Sequence, residues 1–201
     1  LRSLPSDFKE KVTVLFQKNN SDKMPNAFEK FGFKNIKTFK HRKIYNLTSQ
    51  TKIQIAQIGQ MDSSLAVLHK NKVVLNINDC EISKKDAKNF ISDLGKINIV
   101  LNQFSMAGYN GDLNYIKTLQ KRSAEKIEDL IDNHNDLNAD FTIPIASYVY
   151  FCMNDNKFIN EYANTPYDIY KISQSKNFNC IILDFNEVLD LNNLKDHDSK
   201  K

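Results

Sequence analysis

The sequence predicts a layered α/β or α+β sandwich, and two features predict it: a run of three strand-like segments with a tight turn, and strand-helix-strand units after them. With 201 residues and 41% hydrophobic content the chain can bury one sizeable core. A single domain is therefore expected over residues 1–194, with 195–201 as a charged, disordered tail.

Val12 to Phe16 (VTVLF) reads as a short buried strand, and Pro25 to Phe31 as a helix closed by Gly32. Thr51 to Ile58 alternates polar and apolar residues, and Ser64 to His69 and Lys72 to Ile77 follow across a turn at Lys70 and Asn71. These three form an antiparallel meander. Ser83 to Leu94 opens on a serine N-cap, carries Ala87, Phe90, Ile91 and Leu94 at helical spacing, and ends at Gly95. Ile97 to Leu101 is a buried strand, and Gly108 to Gly111 marks a loop before a long helix from about Leu113 to Asn133. Ile143 to Phe151 and Phe178 to Leu183 read as two more strands, with a helix from Tyr167 to Gln174 between them. Tyr148, Tyr150 and Phe151 are expected in the core.

Composition removes several function classes. The net charge of +4, from 28 basic and 24 acidic residues, forms no basic stripe along which a phosphate backbone could lie, so no nucleic-acid partner is expected. Cys80, Cys152 and Cys180 are odd in number and widely spaced, which fits neither a disulfide framework nor a cysteine zinc site. A reducing cytoplasm is the expected setting. Apolar runs fall far short of the ~20 residues that cross a bilayer, so no membrane partner is expected either.

The strand Lys72 to Ile77 ends directly on Asn78, Asp79 and Cys80, where loops gather and a carboxylate can cap a helix, brace a turn or hold a metal. VVLNINDCEI, then INIVLNQFSMAGYNG, then IPIASYVYFCMNDNKFIN occur in that order. Together they resemble the later part of a metallo-β-lactamase-fold protein, an αββα sandwich. The resemblance points to the branch that includes cytidine monophosphate N-acetylneuraminate hydroxylase and related bacterial polysaccharide-biosynthesis proteins. DSSLAVLHKNKVVLN is similar to the family's meander, and Gly32-Phe33 to the Gly-Phe turn before it. In that family the Asn-Asp-Cys segment supplies a carboxylate to the metal centre, and Asp79 is the matching residue. The resemblance thus implies zinc, iron or manganese in the full-length protein.

Two departures accompany the likeness. The family's His-x-His-x-Asp-His signature is absent, and the resemblance implies that it lies just before Leu1. Where many members place a late histidine, this chain has Ser147 and Tyr148. Asp79 alone leaves most of a coordination sphere to water, so this chain by itself is expected to bind no metal tightly. The four histidines are scattered without ligand spacing: His41 and His197 read as solvated, His69 as facing a turn, and His134 as a cation at a helix end. Cys80 reads either as a group tuning the site or as a small buried hydrophobe.

Gln103, Ser105 and Tyr109, in the loop after Ile97 to Leu101, and Ser147 are the candidate substrate-binding residues; the loop residues could equally satisfy local backbone. Two function classes follow. One is the distal part of a metal-dependent hydrolase or hydroxylase-like enzyme acting on a nucleotide-sugar, glycan or phosphorylated small molecule. The other is a non-catalytic binding or assembly module of the same fold in polysaccharide biosynthesis. A partner is expected as well: the missing N-terminal part of the domain, or a second copy covering an apolar sheet face.

Overall fold

A computed structural model describes residues 1–18, 22–60, 62–108 and 116–194. Helix α1 (Ser6–Lys11), strand β1 (Thr13–Gln17), helix α2 (Lys23–Lys30) and strand β2 (Asn35–Phe39) come first, with β1 and β2 paired in parallel. Strands β3 (Ile44–Asn46), β4 (Thr51–Ile58), β5 (Asp62–His69) and β6 (Lys72–Asn78) follow. Then come α3 (Lys84–Leu94), β7 (Ile99–Gln103), α4 (Ile116–Asp136), β8 (Phe141–Ile145), a 3-10 turn at Lys157–Glu161 and α5 (Pro166–Lys176). The second sheet has six strands in the order β3-β4-β5-β6-β7-β8.

The expected meander is present, since β4, β5 and β6 pair antiparallel in sequence order. Beyond it the sheet turns parallel, β6 with β7 and β7 with β8. A parallel neighbour requires a crossover, and α3 and α4 supply the two crossovers. Consequently β6, β7 and β8 all end at the same edge of the sheet, where Asn78 faces Asn102 and Gln103 faces Ile145.

Side-chain alternation assigns each strand residue to one of the sheet's two buried faces. Leu75 and Ile77 of β6, fully buried, pack with Ala56, Val100, Phe90 and Leu94 on the α3 side. The opposite face is covered in two parts. Ile53 and Ile55 of β4 meet Leu15 and Phe39 of the small sheet. Ile99 and Ile143 meet Ile181, Leu183 and Leu194. Helix α5 packs on α4 through Leu130, Ile169 and Phe178, with Phe104 beneath them. Arg42 clamps the loop before β3 to α3, its guanidinium donating to both oxygens of Asp93 at 2.6 Å. Gln54 donates to the same carboxylate at 3.0 Å.

Several expectations need correction. The strand expected from Ile143 to Phe151 is Phe141–Ile145, because Ala146 takes a left-handed φ of 61° and ends the extended run. Tyr148 and Tyr150, 60% and 79% exposed, lie outside the core. Phe178 to Leu183 forms only an isolated bridge from Cys180 to Thr142 rather than a strand. Ile97 to Leu101 is shifted to Ile99–Gln103, and β2, β3 and α1 add elements where none was expected. The helix at Tyr167 extends to Pro166–Lys176 behind a Thr165/Asp168 capping box. The tail at 195–201, the Gly111 end of the expected loop and the helix start at Leu113 lie outside the described residues.

Candidate functional site

At the end of β6 the register slips between Asn76 and Asn78, and Asn78 adopts a left-handed φ of 47°. Asparagine tolerates that conformation better than most residues with a β-carbon. Asn76 Oδ1 accepts the Asn78 amide at 3.0 Å, and the Cys80 amide donates back to the Ile77 carbonyl at 2.8 Å. This tight exit turns Asp79 outward and exposed, while Cys80 folds back into the α3-side core. Asn78 Nδ2 donates to Asp79 Oδ1 at 2.7 Å, so one carboxylate oxygen is fixed by its neighbour. A core strand ends on an acid here because the bulge delivers that acid to the sheet's edge.

Beside this exit lies a pocket of about 390 Å³. Asp79, Cys80, Glu81 and Ile82 form one wall, Asn102 and Gln103 at the end of β7 the floor, and Glu125, Lys126, Asp129 and Asn133 of α4 the other wall. The position follows from topology: in sheets with parallel strands, ligand crevices form outside the carboxyl ends. Glu125, Asp129 and Asn133 stand four residues apart and so share one stripe of α4. That spacing marks a polar stripe of α4 that the sequence expectations did not include, though it does not say which strand end the stripe faces. Asp79 and Gln103 line the pocket together because the α3 crossover makes β6 and β7 parallel.

The pocket is electronegative. Burial raises the pKa of Asp129, Lys126 opposes that shift, and Glu81, Glu125 and Asp132 add to it by like-charge repulsion. Burial also pushes the Cys80 thiol up to about 11, helped by Asp62 and Asp79, so it stays protonated at neutral pH. Cys80 therefore offers no free thiolate nucleophile at neutral pH. Asn102, only 3% exposed, has an Nδ2 that finds no acceptor among the described residues.

The remaining candidates are placed differently. Ser105 is buried with its hydroxyl unpartnered, and Ser147, also buried, donates to the Ser105 carbonyl at 2.7 Å. This pair ties the segment after β7 to the segment after β8, and neither residue lines the pocket. Tyr148 packs edge-on against Phe104 at 5.2 Å. Tyr109 lies outside the described residues.

A metal is implied by the resemblance, and the donors test it. Among the described residues no group of three or more His, Cys, Asp or Glu side chains converges as a metal would require. His41 Nδ1 accepts the Gln57 amide, and His69 pairs with Thr51 Oγ1 at 2.9 Å. His134, expected as a cation at a helix end, is instead buried against Thr142 Oγ1 at 2.9 Å, and burial lowers its pKa. His197 is outside the described residues. The described donor set does not fit a tightly held zinc, iron or manganese ion.

No protein-family profile matches the sequence, and no curated protein matches it. Among solved structures the chain resembles the isothiocyanate hydrolase from Delia radicum gut bacteria, with a TM-score of 0.56 at 12% identity over 89% of this chain and 67% of that one. It also resembles the metallo-β-lactamase-fold protein YhfI from Bacillus subtilis, at TM-score 0.47 and 10% identity over 89% and 65% of the two chains. A third likeness is to Tm1679, a metal-dependent hydrolase of the β-lactamase superfamily, at TM-score 0.41 and 15% identity over 82% and 62%. The chain thus spans 62% to 67% of the length of these structures. At such identities the likeness is one of fold. The mixed α/β architecture agrees with the layered sandwich expected from the sequence, and the likeness to the isothiocyanate hydrolase does not extend to the N-acetylneuraminate hydroxylase branch that the resemblance implies. Among the described residues no helix is long and apolar enough to cross a membrane.

Proposed function

We propose that this chain forms the substrate-facing part of a hydrolase with the metallo-β-lactamase fold, and that its substrate is a small polar molecule held in the pocket beside Asp79. One observation carries the proposal: the parallel strands β6 and β7 end together on that pocket with Asp79, Asn102 and Gln103 as its polar floor and wall. The isothiocyanate hydrolase neighbour supports hydrolysis by fold analogy, a weaker ground than the site itself. An exposed carboxylate with one oxygen fixed by Asn78 can orient a water or accept its proton through the other. Glu81, Glu125 and Asp129 would repel a phosphate, so the pocket weighs against the nucleotide-sugar and phosphorylated substrates that the resemblance implies.

A second reading, a binding module of the same fold, draws on the absence of a converging donor set among the described residues. Metal analysis of the full-length protein, together with turnover of ester, amide and isothiocyanate panels, separates the two. The hydrolase reading expects turnover that Asp79→Ala lowers by about tenfold or more. A metal-free, stably folded protein that turns over no member of the panels would leave the binding module.

A further inference from the structure

The pocket beside Asp79 is large enough for an organic molecule, since small-molecule sites occupy roughly 300–1,000 Å³. Its lining carries four carboxylates, on Asp79, Glu81, Glu125 and Asp129, against one ammonium, on Lys126. Such a wall favours a cation. An acidic wall alone would show only a solvated face, but here a second feature points inward. Asn102 lines the pocket almost wholly buried, and its Nδ2 donor has no partner among the described residues. A buried donor left unmet costs roughly 1–3 kcal/mol, which an acceptor on a ligand would recover.

We propose that this pocket binds an organic cation that also carries a hydrogen-bond acceptor, the cationic head lying among the four carboxylates and the acceptor taking the proton of Asn102 Nδ2. A bare divalent ion fits less well, because no three ligating side chains among the described residues converge on one point. An ammonium or guanidinium group needs no such convergence, since dispersed carboxylates attract it at several ångströms. Desolvation is the main cause of the raised pKa of Asp129, and Glu81 and Glu125 add a smaller like-charge contribution that a bound cation would offset. This inference rests on the reading of the pocket as the substrate site, and it names the substrate's chemical class.

The test uses three near-isosteric probes on the full chain: 5-aminopentanamide (cationic), pentanamide (neutral) and glutaramate (anionic). Binding is followed by calorimetry and by amide chemical shifts. Saturable binding of 5-aminopentanamide alone is expected, weakened about fivefold by Asp129→Asn or Glu81→Gln and about tenfold by Asn102→Ala. Asp129 and Glu81 are exposed, so their variants should fold even if Asn102→Ala does not. Equal binding of all three probes, no saturation by the cation, or binding indifferent to the Asp129 and Glu81 variants would each overturn the proposal. So would a zinc or manganese ion that binds one-to-one and displaces the cation. Turnover of a neutral or anionic substrate that depends on Asp79, with no cation binding, would defeat the cation assignment and leave the hydrolase reading standing. Cation binding without turnover of any substrate would do the reverse.

Discussion

His134 shows how one residue couples burial to pH. Its imidazole is enclosed by Thr142 and the Phe178 ring, 5.4 Å away, and desolvation, with Lys96 adding to it, lowers its pKa from the ordinary 6.5. The unfolded chain therefore takes up the proton before the folded one does. Its contribution to stability is fully present above pH 6.5 and is lost as pH falls below that value towards the depressed folded pKa. Asp93 is held low by its hydrogen bond from Arg42, so its own loss of stabilisation begins only below the ordinary carboxylate value of 3.8. Asp129 works in the opposite sense, since a raised carboxyl pKa makes the fold gain as pH falls through it. Denaturant midpoints at about pH 7.5 and about pH 5.5 should fall for the parent and change less for His134→Gln. An equal drop in both proteins would place the titration elsewhere.

At the scale of elements, β6 and α3 carry much of the architecture that presents the pocket. Leu75 and Ile77 of β6 are wholly buried against α3, so Leu75→Ala should cost about 2–5 kcal/mol by leaving a cavity between sheet and helix. Helix α3 begins with a reciprocal box in which Ser83 Oγ accepts the Asp86 amide and the Asp86 carboxylate accepts the Ser83 amide at 2.9 Å. Ser83→Ala should cost about 1 kcal/mol, a several-fold smaller loss than Leu75→Ala. Urea unfolding of both variants ranks them. A larger loss for Ser83→Ala would mean that the start of α3 holds the fold together more than its apolar face does.

At the scale of the whole molecule, the segment from Phe178 to Leu194 acts as a cover although most of it has no regular structure. Ile181, Leu183 and Leu194 shield Ile99 and Ile143 on the face of β7 and β8 away from α3. A chain ending at Lys176 would leave that face apolar and open, and it should bind a hydrophobic dye strongly and self-associate. Phe185 and Val188, each 90% exposed on the same segment, belong to no part of this cover. Replacing both with serine should leave dye binding and thermal stability within error, which a paired measurement on the truncated and substituted chains checks.

What the sequence determined by itself was local. Alternation over Thr51–Ile58 and a turn at Lys70 define the meander, because strand period and turn chemistry act between near neighbours. The strand-helix-strand spacing through Ser83 to Leu94 makes β6 and β7 parallel, which brings Asp79 and Gln103 to one edge. Tertiary structure decided what depends on distant partners. Residues 178–183 look like a strand because most are apolar, but they bridge β8 only at Cys180, while Ile181 and Leu183 pack against its face. Tyr148 and Tyr150 look like core residues, yet the left-handed turn at Ala146 carries them to the surface. The helix wall of the pocket lies more than forty residues along the chain from Asp79, and no local pattern joins Glu125 and Asp129 to a strand end. Their meeting depends on how α4 crosses from β7 to β8, and that path is set by the burial of Leu130 against Phe104 and Phe178.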